Sequence, residues 1–132
     1  MDIDQLNGFY VFTYASNNMG DADYVEMIDA TAFYASVYQG VLAAVDRSGG
    51  VITGVFRLAD ERTVDVRTVI DMTHARPGMG VSDENGKFTT ESQAIGGRLT
   101  IVSVGTKLAL HGTITHGPRV MQVVGSRVGE VR

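Results

Sequence analysis

From residue 48 onward the chain alternates between two chemical faces with a period of two. Ile52, Gly54, Phe56 and Leu58 alternate with Val51, Thr53, Val55 and Arg57. Val64, Val66, Thr68 and Ile70 alternate with Thr63, Asp65 and Arg67. Phe88, Thr90, Ser92 and Ala94 alternate with Lys87, Thr89, Glu91 and Gln93, and Leu108, Leu110, Gly112 and Ile114 with Lys107, Ala109, His111 and Thr113. Successive side chains of a strand point to opposite faces, so each run predicts a strand with one buried and one wet face. Runs 98–104 and 119–128 complete the set. The last is apolar on both phases, which predicts that both its faces are covered. Between the runs stand Asp46-Arg47-Ser48-Gly49-Gly50, Glu84-Asn85-Gly86-Lys87, Gly96-Gly97 and Val104-Gly105-Thr106-Lys107, all read as hairpin turns. Asn-Gly and Gly-Gly supply the positive φ that tight hairpins need. The composition agrees: glycine takes 16 of 132 positions and proline only 2.

The first half is less regular. Residues 8–15 read as a strand in which Phe9, Val11 and Thr13 oppose Tyr10, Phe12 and Tyr14. Both faces are apolar, so the outer one is expected to be covered. Phe9, Tyr10, Phe12 and Tyr14 are therefore candidates for a homodimer interface. Residues 34–45 read as one long strand, and 21–33 as an irregular strand or a short helix. The total is eight or nine strands. An open sheet of that size leaves two unpaired edges, and closure removes them. The expected fold is all-β: a single antiparallel up-and-down barrel over 1–132, with room for one short helix. The interior of an eight-stranded barrel holds side chains or one small ligand. Tyr38, Phe56, Phe88, Leu108 and Leu110 are the candidates for its lumen.

The net charge of −4 hides an asymmetry. Residues 1–46 carry seven acids and no Lys or Arg, whereas all 11 basic residues lie from Arg47 onward. An acidic first third argues against direct nucleic-acid binding and suits a basic protein partner. The chain has no cysteine, which removes disulfides, thiol nucleophiles and thiolate metal sites. No run approaches the ~20 apolar residues of a membrane helix. The opening Met1-Asp2-Ile3-Asp4 is acidic, unlike a signal peptide, so the cytoplasm is the expected compartment.

Tests for chemistry return little. His111 and His116 are five residues apart, which puts them on opposite faces of a strand, and His74 lies about 40 residues away in a loop. No metal site is expected from them. Asp60-Glu61 and Asp83-Glu84 sit at turns, where adjacent carboxylates are solvated. Gly125-Ser126-Arg127-Val128-Gly129 has its serine one place early for a nucleophile elbow. Gly78-Met79-Gly80 lacks the third glycine of a dinucleotide loop. Neither an enzyme nor a cofactor is expected. The basic residues of the second half are spread about one per strand or turn, as ordinary sheet-surface charges are.

Two stretches carry a family signature: Asn7-Gly8-Phe9-Tyr10-Val11-Phe12, followed by Ala15-Ser16-Asn17, and Ala35-Ser36-Val37-Tyr38-Gln39-Gly40-Val41-Leu42. Together they resemble the GrlR family, the negative regulators of type III secretion in Gram-negative bacteria. The likeness covers about the first 45 residues. It implies an eight-stranded, lipocalin-like (calycin) barrel with a short helix, usually dimeric. In the family's namesake the barrel binds and restrains a transcriptional activator through an acidic run in the loop after the Gly-Val-Leu strand. Here the matching loop, with Asp46, Arg47 and Ser48, holds one acid and one base. It is the candidate partner-binding loop. Two functions are thus expected in competition: a regulator that binds a protein partner, and a carrier or sensor of a small apolar ligand in the lumen.

Overall fold

A computed structural model describes residues 1–18, 29–45, 49–85, 87–117 and 119–130. Eight antiparallel strands close into a barrel. They are β1 (Gly8–Asn18), β2 (Asp29–Tyr38), β3 (Val41–Val45), β4 (Val51–Leu58), β5 (Thr63–Asp71), β8 (Gln93–Val104), β9 (Lys107–His116) and β10 (Arg119–Gly129). Each barrel strand pairs with the next along the chain, and β10 returns to pair with β1. The remaining two, β6 (Val81–Ser82) and β7 (Phe88–Thr89), form a separate ribbon between β5 and β8. The one described helical element is a 3₁₀ turn at Ile3–Leu6.

The expected barrel is present, and three details of its strands differ from expectation. The run 34–45 is two strands, because Gln39 and Gly40 form a two-residue hairpin turn with φ of 51° and 79°. Both residues need positive φ in such a turn. Gln39 tolerates it because its N–H donates to Asn7 Oδ1 at 2.8 Å. Gly40 has no freedom to grow, since a Cβ there would stand 2.9 Å from the Phe56 carbonyl. The second difference is at Gly96-Gly97, which is not a turn but the middle of the continuous strand β8. There a Cβ on Gly96 would meet the Val66 carbonyl at 2.8 Å and one on Gly97 the Ile114 side chain at 2.8 Å. These glycines serve close strand approach, the other use of a missing side chain. Third, the run 88–94 is broken, with Phe88 on the ribbon and β8 beginning at Gln93. Part of the ambiguous segment, from Asp29 onward, is strand β2. Residues 21–28 and Gly86 lie outside the described residues.

The core is the barrel interior. Tyr10, Phe12, Val37, Leu42, Phe56, Val64, Leu99 and Leu110 are all buried there. Phe12 stacks on Tyr10 and on Phe33, with ring centroids 5.7 Å and 5.4 Å apart. One end of the barrel is plugged by the N-terminal turn. Leu6 is fully buried, the Tyr10 hydroxyl donates to its carbonyl at 2.6 Å, and Arg127 Nη1 donates to the Gln5 carbonyl at 2.8 Å. An apolar interior beneath an outer face that carries Arg57, Asp65, Arg67 and Arg98 is the reverse of a lipid-facing barrel. Among the described residues no helix is long and apolar enough to cross a membrane.

Candidate protein-binding face

The alternation of β1 decides which aromatics are available to a partner. Even positions point inward and odd positions outward. Tyr10 and Phe12 are therefore buried in the core and are withdrawn as interface residues. Tyr14 is half-buried and its ring lies 6.0 Å from Phe33, on the same inner side. Of the four interface candidates only Phe9 turns its ring outward, at 52% exposure.

The lumen candidates divide as well. Phe56, Leu108 and Leu110 are buried in the interior. Tyr38 is 54% exposed because the hairpin at Gln39-Gly40 places it on the outer phase of β2. Phe88 is 67% exposed on the ribbon and takes no part in the barrel wall. Both are corrections to the expected lumen. A surface notch of about 260 Å³ between β5 and β8 is lined by Arg67, Thr68, Ala94, Ile95 and Gly96. The loop candidates Asp46, Arg47 and Ser48 lie outside the described residues.

A larger feature emerges from the registers of β1 to β4. Their outward residues fall into three rows that cross the strands. One row runs Val11, Tyr34, Val45, Val51. The next runs Phe9, Ser36, Ala43, Thr53. The third runs Tyr38, Val41, Val55. None of these eleven side chains carries a charge. Tyr34 stands out at 76% exposure, and Val41, Val45 and Val55 are all exposed. Bulky residues fill the first and third rows, and small ones most of the middle row. The relief is ridge, trough, ridge, with the ridges roughly 14 Å apart at four residues of strand rise. Of this face the sequence alone shows Phe9 and Val11, on a strand whose outer side is expected to be covered. Once the Gln39-Gly40 turn is placed, Val41, Ala43 and Val45 fall in phase with Tyr34 and Tyr38, so the missing signal was the hairpin.

The rest of the outer wall is different in kind. Arg57, Asp65 and Arg98 are direct neighbours across β4, β5 and β8. Arg98 Nε donates to Asp65 Oδ1 at 2.7 Å, and that hydrogen bond holds the Asp65 carboxyl below its ordinary range. Inside, burial pushes the Tyr10 hydroxyl up to about 12, against the opposing pull of the nearby Arg127 cation. His111 faces outward and His116 is half-buried on the opposite phase of β9. Among the described residues, no three of His, Asp and Glu gather as a metal ion would need. Set against protein families, characterised proteins and solved structures, the chain finds no match.

Proposed function

We propose that this chain is a small regulatory module that works by binding protein. The resemblance of its first 45 residues to negative regulators of type III secretion makes a transcriptional activator a fitting partner class. One observation carries the reading: the uncharged outer face of β1–β4, centred on Ser36 and Ala43 and flanked by the exposed Tyr34 and Tyr38. Monomeric soluble proteins rarely expose contiguous apolar patches larger than a few hundred Å². Tyrosine rings and a charge-depleted centre are what protein interfaces enrich. The interior gives less support to a carrier, because Tyr10, Phe12, Phe56, Leu99 and Leu110 already occupy it.

The test is a photo-crosslinking residue placed at Tyr34 in the native host, with Thr113 on the far wall as control. Capture of protein at position 34 and none at position 113 supports the reading. Equal recovery of uncrosslinked chain from both positions refutes it. Deletion of the gene is expected to change transcription of the partner's targets, and an unchanged transcript profile would remove the regulatory part of the proposal.

A further inference from the structure

We infer that the outer wall at Arg57 and Arg67 is a docking site for an acidic, extended segment of a partner protein. The site lies beyond the uncharged rows of β1–β4, and it stands or falls separately from the reading of that face.

Along the chain these arginines are spread about one per strand, and the barrel gathers them. Arg57, Asp65, Arg98 and Thr113 form one outward row, and Val55, Arg67 and Gly96 the row beside it. Asp65 is the one acid of the two rows. Its carboxyl is held below the ordinary range first by the Arg98 hydrogen bond and then by the charges of Arg98, Arg67 and Arg57, so three guanidinium groups act on one carboxylate. Arg98 takes that carboxylate, with Nε donating to Oδ1 at 2.7 Å and Nη2 to Oδ2 at 3.3 Å. Among the described residues Arg57 and Arg67 have no ion pair. Two exposed cations are thus left over on the wall of a chain whose net charge is −4.

The occupant follows from spacing and charge. Arg57 faces Asp65 across the strands, and Arg67 is two residues further along β5. The two arginines are therefore diagonal neighbours, about 7–8 Å apart. One more step of the same diagonal leads to Ala94 on β8, because Ala94 faces Val69, two residues beyond Arg67. Alternate residues of an extended peptide point the same way and stand about 6.7 Å apart. Carboxylates two residues apart therefore meet both guanidinium groups, each able to take its acid in a two-pronged hydrogen bond. The next residue facing the wall reaches the notch of about 260 Å³ lined by Ala94 and Ile95, where Gly96 leaves bare backbone beside Arg67. The matching pattern is acid-x-acid-x-apolar. Its path runs from β4 to β8 and stays off β9. A nucleic acid would be selected by a longer run of cations with aromatics for its bases, and these rows hold a surplus of two cations and no aromatic residue.

The probe is the peptide Asp-Thr-Asp-Thr-Leu, blocked at both ends and titrated into the isotope-labelled full chain. Backbone amide shifts are expected at Arg67, Ala94 and Gly96, saturable at millimolar peptide and weakened by added salt. The same peptide with Asn in place of both Asp is expected to leave those amides unmoved. Arg57→Glu with Arg67→Glu, both on the exposed wall, is expected to weaken binding about tenfold or more with Tm unchanged. If that double variant fails to fold, the Asn peptide decides alone. Absence of shifts at millimolar peptide overturns the inference, and so does equal binding of the Asn peptide. Oligothymidylate that moves the same amides at lower concentration than the acidic peptide overturns it in favour of nucleic acid. Any of these failures leaves the Tyr34 face standing, because capture at position 34 reads that face alone.

Discussion

Replacing Tyr10 by Phe removes one oxygen from the plugged end of the barrel, and its consequences differ at two ends of the pH scale. Near neutral pH the hydroxyl donates to the Leu6 carbonyl at 2.6 Å, in a residue with no solvent exposure. The Phe variant keeps the ring and its stack on Phe12 but leaves that carbonyl without this donor. An unsatisfied buried acceptor costs about 1–3 kcal/mol. For a chain of this length that is a fall of roughly 3–5 °C in Tm per kcal/mol. In alkali the gap narrows. Burial raises the Tyr10 pKa from 10.0 to about 12, so the folded chain holds this proton more tightly than the unfolded one. The stability tied to that proton is complete below pH 10 and drains away as pH climbs toward 12. Its full size is about 2–3 kcal/mol. The Phe variant has no proton to lose, so its deficit should shrink as the wild type weakens. Urea titrations followed by far-UV circular dichroism, whose backbone signal does not depend on tyrosine ionisation, measure both chains across this range. A gap between them that stays constant from neutral pH to pH 12 would refute the assignment of a buried, hydrogen-bonded Tyr10.

Three further outcomes are expected. Gly125→Ala puts a methyl group against the Phe12 ring at the β1–β10 seam, and overpacking there should cost about 1–3 kcal/mol in chemical denaturation. Full retention of stability would mean that the seam is looser than described. Gly40→Ala combines a positive φ of 79° with a close approach to the Phe56 carbonyl, and a loss above about 1 kcal/mol is expected in a thermal melt. The two later phenylalanines separate cleanly: Phe56→Ala should cost about 3–5 kcal/mol, while Phe88→Ser should leave Tm unchanged. Equal losses would place Phe88 back in the core.

The barrel was legible because alternation survives wherever a wall has one wet face. Val64 to Ile70 and Leu108 to Ile114 show it, and their inner phase is the observed one. The errors arose where that contrast vanishes. Across 34–45 both phases are apolar, so no change of pattern marks the turn, and Gln39 is not a residue that announces positive φ. Gly96-Gly97 misled in the opposite way. A glycine pair signals a hairpin by default, and only the carbonyl of Val66 and the side chain of Ile114 reveal that these glycines make room for neighbours. The same lack of contrast hid the candidate site. A face is read as a surface when it is polar, and the outer rows of β1–β4 are not. Their character depends on four strands coming into register, which is information held between segments and not within any of them.

The seam between β1 and β10 also sets a timetable. Gly8–Asn18 leaves the ribosome about 100 residues ahead of its partner Arg119–Gly129. At common rates of synthesis the interval is about 5–20 s. Throughout it β1 lacks the neighbour that satisfies one of its backbone edges, while Phe9, Tyr10, Val11 and Phe12 present apolar side chains on both faces. The strand richest in sticky surface is thus the one that waits longest for closure. A product stalled or truncated before Arg119–Gly129 would be left with an open cylinder and a hydrophobic free edge, the kind of unpaired strand that templates pairing with another chain.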